Sequence, residues 1–445
     1  MNEQMISHDG PGHLFLAGLS SRGVTYGLER VQILLEAMGR PQDDVPTVLV
    51  AGTNGKGSVS SMLAAMLHRA GLRVGHFTSP HLVETRERLR VGDRCVSAAA
   101  LDACAGLDAG AEDVITTPFE ALTCAALHLM RAQQVDIAVM ECGLGGRLDA
   151  TNTTDPMVSV VTQIAYDHTR TLGNSLAAIA TEKAHVGRKG RPLIVAQPSI
   201  TVGAARRAGI EADFRKFGWD LKVEDVSGDG LERPHSGTLV GPMLREPLHI
   251  EVSLGGTWQL DNAALAVMAY IEVARHRAAK GQGQLPEPVL VAPALAQVPW
   301  PVRCEWVSSD PPVVLDGAHN IAGLTALAAM LGQRSRRWQV LLAIRNNRSA
   351  EPLIQALAPM VDCFWLPRMD ADTLHLAGHL AELVDRFAPA ANVAVGSKAD
   401  CLRGALSESA PGAGVAVTGS LYGLGEWLQS GLLTSPRLQR WLDGP

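Results

Sequence analysis

Short apolar runs rich in β-branched residues alternate with stretches of helical spacing along most of the chain. TVLVAG from Thr47, LRVGHFT from Leu72, DIAVMECG from Asp136, MVSVVTQI from Met157 and RPLIVA from Arg191 read as strands. SSMLAAMLHRAG from Ser60 and FEALTCAALHLMRAQ from Phe119 read as helices between them. Strands apolar on both faces, alternating with helices, specify a mostly parallel sheet covered on both sides. From about Thr201 to Glu251 the pattern changes to short alternating segments with glycines, SGTLVG and LHIEVSLGG, which predict an antiparallel region beside the main sheet. AAKGQGQLPEP from Ala278 has the Gly and Pro content of a linker. PVVLDGAH, WQVLLAIR, VDCFWLP and AGVAVTGS then restart the alternation. The fold class expected is therefore α/β, with an N-terminal, mostly parallel domain over 1–295 and a smaller C-terminal α/β domain over 296–445.

Composition narrows the function. The 445 residues carry a formal charge of -6 with both signs dispersed. No basic footprint for nucleic acid follows, although a local field can still serve an anionic ligand. No apolar run reaches membrane-spanning length, and MNEQMISHDGPGH at the start lacks a signal pattern. Seven scattered cysteines without a CxxC pair point to a reducing, cytoplasmic setting rather than a zinc site or disulfide framework.

Candidate chemistry begins at Gly52. Between TVLVA and a helical run stand Thr53, Asn54, Gly55, Lys56, Gly57 and Ser58. A tight turn would account for the glycines alone. A phosphate-binding loop accounts for more: glycines let backbone N–H groups approach phosphate, and the helix beginning near Gly57 adds its N-terminal dipole. Lys56 would offset phosphate charge and the Ser58 hydroxyl would ligate Mg²⁺. The spacing is not the common one, since Gly52 and Gly55 enclose two residues and Gly57 separates the lysine from the serine.

Glu141 ends the run DIAVM, and His168 follows VSVVTQIAY. Parallel sheets build their sites at the C-terminal strand edge, so Ser58, Glu141 and His168 would meet around one cation whose octahedron phosphate oxygens and water complete. Each has a plainer reading, a capping carboxylate for Glu141 and a core histidine for His168. Lys183, late in SLAAIATEKA, reads by itself as a solvated helix-end lysine suited to the helix dipole.

The short loop resembles the ATP loop of the Mur ligase superfamily, and the rest of the chain resembles one branch of it, the folylpolyglutamate synthase/dihydrofolate synthase family. The segments carrying the resemblance are YGLERVQILLEAMGRP, TSPHLVETRERLRV, TPFEALTCAAL, ECGLGGRLDATN, DHTRTLGNSLAAIATEKA, WQLDNAALA, LDGAHN and TGSLYGLGE, collinear from about Gly27 to Glu426. It implies a P-loop ATPase-like N-terminal domain that binds ATP and the acid substrate, and a C-terminal domain that completes the ATP and amino-acid site. It assigns Thr53 to Ser58 to ATP, Gln259 and Asn262 to the base region, Arg303 and His319 to the phosphates and Asp316 to the ribose. Ser58, Glu141 and His168 hold one Mg²⁺ by the same comparison. Lys183, carbamylated by CO₂, would hold a second, which is reasonable for an amine kept neutral by desolvation. Ser79, Pro80, His81, Thr117, Phe119, Asp149 and Ala150 fall on the acid side, with Asp149 facing an aminopyrimidine edge and Phe119 stacking on a ring. Ser420 is a candidate amino-acid contact. A loop cap for Asp149, a core role for Phe119, a helix cap for Ser420 and ion pairs for Arg303 and Asp316 remain alternatives. Lys56, Lys183 and His319 are the implied catalytic residues. The implied activity is ATP-dependent ligation of L-glutamate to dihydropteroate or a folate through an acyl phosphate. Its partners would be a small-molecule acid and an amino acid, and the chain would be a monomer.

Departures cluster late in the chain. His-Gln-x-x-Asn reads Trp258-Gln259-Leu260-Asp261-Asn262, Trp-Pro-Gly-Arg reads Trp300-Pro301-Val302-Arg303, and Glu-Lys-Ala-Gly reads Glu182-Lys183-Ala184-His185. The glycine before Asp-Lys-Asp is Ala343, and the triplet itself is Asn347-Arg348-Ser349. Two other readings therefore stay open: a ligase of the same fold with another acid or amine, and a non-catalytic ATP-binding relative.

Overall fold

The computed structural model describes residues 27–104, 117–216, 220–223, 234–333, 337–409 and 414–444. The N-terminal stretch read above for a signal pattern lies outside them. The first sheet contains β1 (Thr47–Ala51), β2 (Val74–Phe77), β3 (Leu89–Val91), β4 (Arg94–Cys95), β5 (Ile137–Glu141), β6 (Val158–Val161), β7 (Pro192–Val195) and β8 (Asp213–Lys216), in the order β4-β3-β2-β5-β1-β6-β7-β8. All neighbours from β2 to β8 are parallel, and β3 and β4 form an antiparallel edge. Central β1 pairs Val50 with Glu141 on one side and Ala51 with Val161 on the other. That register brings the ends of β5, β1 and β6 level, so the loops after them open onto one place.

Between Thr201 and Glu251 the order is richer than the pattern suggested. A helix, Pro198–Arg207, and the parallel strand β8 come first. Then β9 (Asp220–Val223), β10 (His235–Val240) and β11 (Leu248–Val252) form the expected antiparallel sheet. The six-stranded sheet of the second unit is ordered β12 (Glu305–Ser309), β13 (Pro312–Leu315), β17 (Val415–Thr418), β14 (Trp338–Leu342), β15 (Val361–Pro367) and β16 (Asn392–Gly396). Its strands are parallel except for the edge strand β12.

The helix Lys56–Arg69 lies in the first core, with Val59, Met62, Leu63, Met66 and Leu67 fully buried in one cluster with Leu260, Val267 and Tyr270 of the helix Trp258–Ala279. Each such side chain contributes about 1.5–3 kcal/mol, which fixes the loop that precedes the helix.

One expectation about the joint between the units is corrected. The Gly- and Pro-rich stretch from Ala278 is not the linker between them. It is a surface turn of the first unit, because Val273 before it, Leu285 within it and Val291 and Leu295 after it all pack into the first core. The chain crosses instead at 298–304, where Val302 (φ 48°) and Cys304 (φ 42°) hold left-handed backbone. The last helix, Pro436–Asp443, then returns to the first unit. Its Trp441 is buried, donates from Nε1 to the Glu87 carbonyl at 3.0 Å and meets the Trp300 ring at 4.7 Å. Among the described residues no helix is long and apolar enough to cross a membrane.

Candidate functional site

The loop Thr53–Ser58 follows β1 directly. Gly55 (φ 89°) caps the helix that begins at Lys56. The loop is tied to the segment after β6: the Thr53 and Asn54 N–H groups donate to the Gln163 carbonyl at 2.7 and 3.3 Å, and the Thr162 hydroxyl donates to the Asn54 carbonyl at 2.7 Å. Gly52 is required there, since its φ is 148° and a Cβ would lie 1.8 Å from Thr162 Oγ1. Gly52→Ala should therefore cost about 1–3 kcal/mol, read as a lowered melting temperature together with weaker nucleotide binding. Asn262 stands over the loop, its Oδ1 2.5 Å from where a Cβ on Gly55 would be, and donates to Gln259 Oε1 at 2.8 Å. Gln259 and Asn262 thus meet the loop from the Trp258–Ala279 helix.

Lys56 Nζ donates to the Thr53 carbonyl at 3.2 Å. Its charge is felt by Glu141, His168, Lys183 and His319, which come from four separate parts of the chain. Glu141 is buried, and its Oε2 accepts from the Ser79 N–H at 3.1 Å. Burial raises its pKa, opposed by Lys56, that N–H and Arg303. His168 is not a core residue: its side chain is 40% exposed and its backbone is left-handed (φ 49°). Desolvation at the mouth of the cleft, with Arg348, Lys56 and Lys183, holds its imidazole below the ordinary range against Asp167. His319 Nδ1 donates to the Gly317 carbonyl at 2.7 Å, and burial with Arg348 lowers its pKa to about 4.

Lys183 overturns its plain reading as a solvated helix-end lysine. It is 4% exposed, and its Nζ donates to the Gly52 carbonyl at 2.6 Å, directly beneath the phosphate loop. Burial, then Lys56, lowers its pKa to about 7.

Other residues are committed to local structure. Thr117 forms a capping box with Glu120 at the start of the helix Pro118–Ala132. Phe119 packs on Phe77, with ring centroids 5.8 Å apart, and closely on Gly143. Asp149 is buried and accepts from the Leu144 N–H at 2.8 Å, the Thr151 N–H at 3.0 Å and the Thr151 hydroxyl at 2.6 Å. Ala150 is a core residue. Asp316 accepts from the Cys304 and Ala318 N–H groups, both at 2.9 Å. Ser420 caps the helix Leu421–Gln429 by accepting from Gly423 N–H at 3.3 Å. Asp149 and Ser420 thus make the capping bonds of their plainer reading and Phe119 packs as a core ring, whereas Asp316 is held by backbone N–H groups as well as by the nearby Arg303 charge. Arg303 is held over Trp300, its guanidinium carbon 5.4 Å from the ring, and is close enough to Glu141 and Asp316 for both to raise its pKa against burial. Pro80 shares a lining with Trp300, Pro301 and Arg303. Buried His81 accepts at Nδ1 from Arg88 Nε at 2.9 Å.

Two residues beside the site, Asp167 and Asn320, escaped the sequence reading although each adjoins a histidine singled out, and Arg348 was read there only as part of the altered triplet. Arg348 Nη1 and Nη2 reach Asp167 Oδ1 and Oδ2 at 2.7 and 3.3 Å. Asn320 Nδ2 donates to Asn54 Oδ1 at 2.8 Å and Asn54 Nδ2 to Asn320 Oδ1 at 3.3 Å. These pairs are 181 and 266 positions apart, so no local pattern announces them.

Residues 50–270 match the Mur ligase middle domain family. A folylpolyglutamate synthase of Lacticaseibacillus casei is 34% identical over 315 residues, 68% of this chain and 72% of the relative. A dihydrofolate synthase/folylpolyglutamate synthase of Escherichia coli strain K12 is 33% identical over 337 residues, 74% of each chain. The chain belongs to the folylpolyglutamate synthase/dihydrofolate synthase family. A solved bifunctional folylpolyglutamate synthase/dihydrofolate synthase with Mn, AMPPNP and L-glutamate bound superposes with a TM-score of 0.80 at 28% identity, covering 96% of this chain and 99% of that one. In this chain the phosphate loop follows β1 and Glu141 ends the neighbouring β5, while His168 lies beyond the end of β6, at the N-cap of the helix Thr169–Leu172.

The donor set fits a nucleotide-bound cation. Among the described residues no group of three or more His, Cys, Asp or Glu can hold a metal by itself. One hydroxyl, one buried carboxylate and one neutral imidazole form an incomplete set, which phosphate oxygens and water would complete for Mg²⁺.

Proposed function

We propose that this chain is an ATP-dependent amide ligase joining L-glutamate to dihydropteroate or a folate. The observation that carries this reading is the gathering of Glu141, His168, Lys183 and His319 around Lys56, at the N-terminus of the helix Lys56–Arg69, with Lys183 Nζ bonded to the Gly52 carbonyl beneath the loop.

In this reading the γ-phosphoryl group of ATP passes to the acid's carboxylate, giving an acyl phosphate and ADP. The amino-acid amine attacks the acyl carbon, and phosphate leaves from a tetrahedral intermediate. Lys56 offsets charge on the transferring phosphoryl group, with Arg303 and His319 approaching from the second unit. Ser58, Glu141 and His168 would hold Mg²⁺, which supplies further charge compensation. Lys183, lowered to about 7 by burial, has a substantial neutral fraction at physiological pH, the form that adds CO₂. As a carbamate it would offer two oxygens to a second ion. Ser79 to His81, Phe119 and Asp149 line the acid side and Ser420 the amine side. Asp149 and Ser420 act there by shaping their loops as well as by any direct contact. A cytoplasmic setting and a monomer belong to the same proposal.

The test is incubation of the protein with ATP, Mg²⁺, L-glutamate and either dihydropteroate or a folate, following ADP and the product mass. A kcat/KM of about 10⁴ M⁻¹s⁻¹ or more is expected. No mass gain of a glutamyl residue on either acid would sink the reading. One observation favours a second reading, a different amine. Arg345, beside the altered triplet, lies over the Tyr422 ring at 4.4 Å, and its Nε is buried without a partner among the described residues. An amine that turns over at least tenfold faster than L-glutamate in the same assay would establish it.

A further inference from the structure

We propose that Arg348 is a positioning residue, the latch that closes the second unit over the phosphate site by gripping Asp167. The role in ligation rests on the function proposed above, but the latch itself rests on geometry. Arg348 lies in the loop after β14. It contacts both Asp167 oxygens, at 2.7 and 3.3 Å, and the two side chains are only 18% and 8% exposed.

Both partners are braced. The Arg348 carbonyl lies 2.9 Å from His375 Nε2, and its N–H donates to the Arg345 carbonyl at 3.0 Å. Asp167 Oδ1 accepts from the His168 N–H at 2.8 Å, and Oδ2 from Asn320 Nδ2 at 3.2 Å. Asn320 continues to Asn54 in the phosphate loop through two side-chain hydrogen bonds. One chain of polar contacts thus joins the loop after β14, the start of the helix Ile321–Gly332, the segment after β6 and the phosphate loop. Releasing Asp167 removes a brace from the backbone N–H of His168.

The sequence change explains why this cation reaches across. Flanking aspartates would compete for it, but here its neighbours are Asn347 and Ser349, which carry no charge. A guanidinium also makes the two-pronged carboxylate contact that an ammonium cannot. If the latch sets the closed fraction, its loss reduces the apparent affinity for a ligand that needs the closed form by the same factor. Saturating ligand then restores closure, so KM rises while kcat is nearly kept.

The experiment compares Arg348→Met, Arg348→Lys, Asp167→Asn and the Arg348→Met/Asp167→Asn double variant, all in the full chain. Backbone hydrogen exchange is measured over 52–58, 164–168 and 316–320, and KM for ATP and kcat are measured beside it. Arg348→Met and Asp167→Asn should each speed exchange and raise KM by about tenfold, with Arg348→Lys between them and wild type. The double variant should be no worse than the worse single, as expected for one shared contact. Exchange within about twofold of wild type in both singles, or additive effects in the double variant, would overturn the latch. Should Arg348→Met fail to fold, the near-isosteric Asp167→Asn and the charge-keeping Arg348→Lys carry the same comparison. Exchange needs no turnover, so a chain that loosens on substitution but ligates no glutamate loses the ligase reading and keeps the latch.

Discussion

Lys56→Ala lowers turnover by about a thousandfold or more while leaving the thermal unfolding midpoint within a few degrees of wild type. Among the described residues the ammonium makes a single hydrogen bond, to the Thr53 carbonyl at 3.2 Å, and is part-buried. Little native stability therefore depends on it. Its charge reaches Glu141, His168, Lys183 and His319 together, so its loss removes the centre of the field in which phosphoryl transfer would occur. Steady-state ADP release and calorimetry check the two halves. A variant with normal turnover would remove the phosphate-loop assignment.

Lys183→Ala should lower kcat by at least about a hundredfold, and short carboxylates such as acetate should restore part of it by occupying the space of a carbamate. Glu141→Ala and His168→Ala should lose comparably, without rescue. The physical basis is burial: Lys183 is held to about 7, so near neutrality its amine is deprotonated about a thousandfold more often than an ordinary lysine. The sign follows. Raising pH through 7 increases the neutral amine and hence carbamate formation, and depleting CO₂ should lower activity of the wild type but not of a carboxylate-rescued variant. A crystal structure with ATP and Mg²⁺ in which Lys183 stays unmodified, still bonded to the Gly52 carbonyl, would exclude the carbamate.

Much of this molecule was legible in one dimension. Apolar runs alternating with helical spacing specified parallel sheets because a strand covered on both faces has no polar side. The glycines around Lys56 marked a backbone that must adopt left-handed conformations, as Gly55 does at φ 89° and Gly52 at φ 148°. Glu141 was visible as a polar residue at the end of a buried strand, and His168 as one after the next, although that strand ends at Val161 and His168 caps the helix that follows. The joint between the units was misread. Gly and Pro announce a turn, and a turn on the surface of one unit looks the same as a hinge between two.

Burial was the other thing left undecided. Lys183 ends a helical run with ordinary spacing, and only the packing of that helix beneath the phosphate loop takes its amine out of water. Asp149, Asp316 and Ser420 carried the right chemistry for ligands, yet folded hydrogen bonds commit them to backbone N–H groups. The contacts of Arg348 with Asp167 and of Asn320 with Asn54 join residues far apart in sequence, where no periodicity relates them. Local pattern determined the strands, the helices and the phosphate loop, since each depends on the order of neighbours. Which charges lose their water, and which partner each meets across the cleft, was decided by tertiary structure, because desolvation and pairing are set by distance in space.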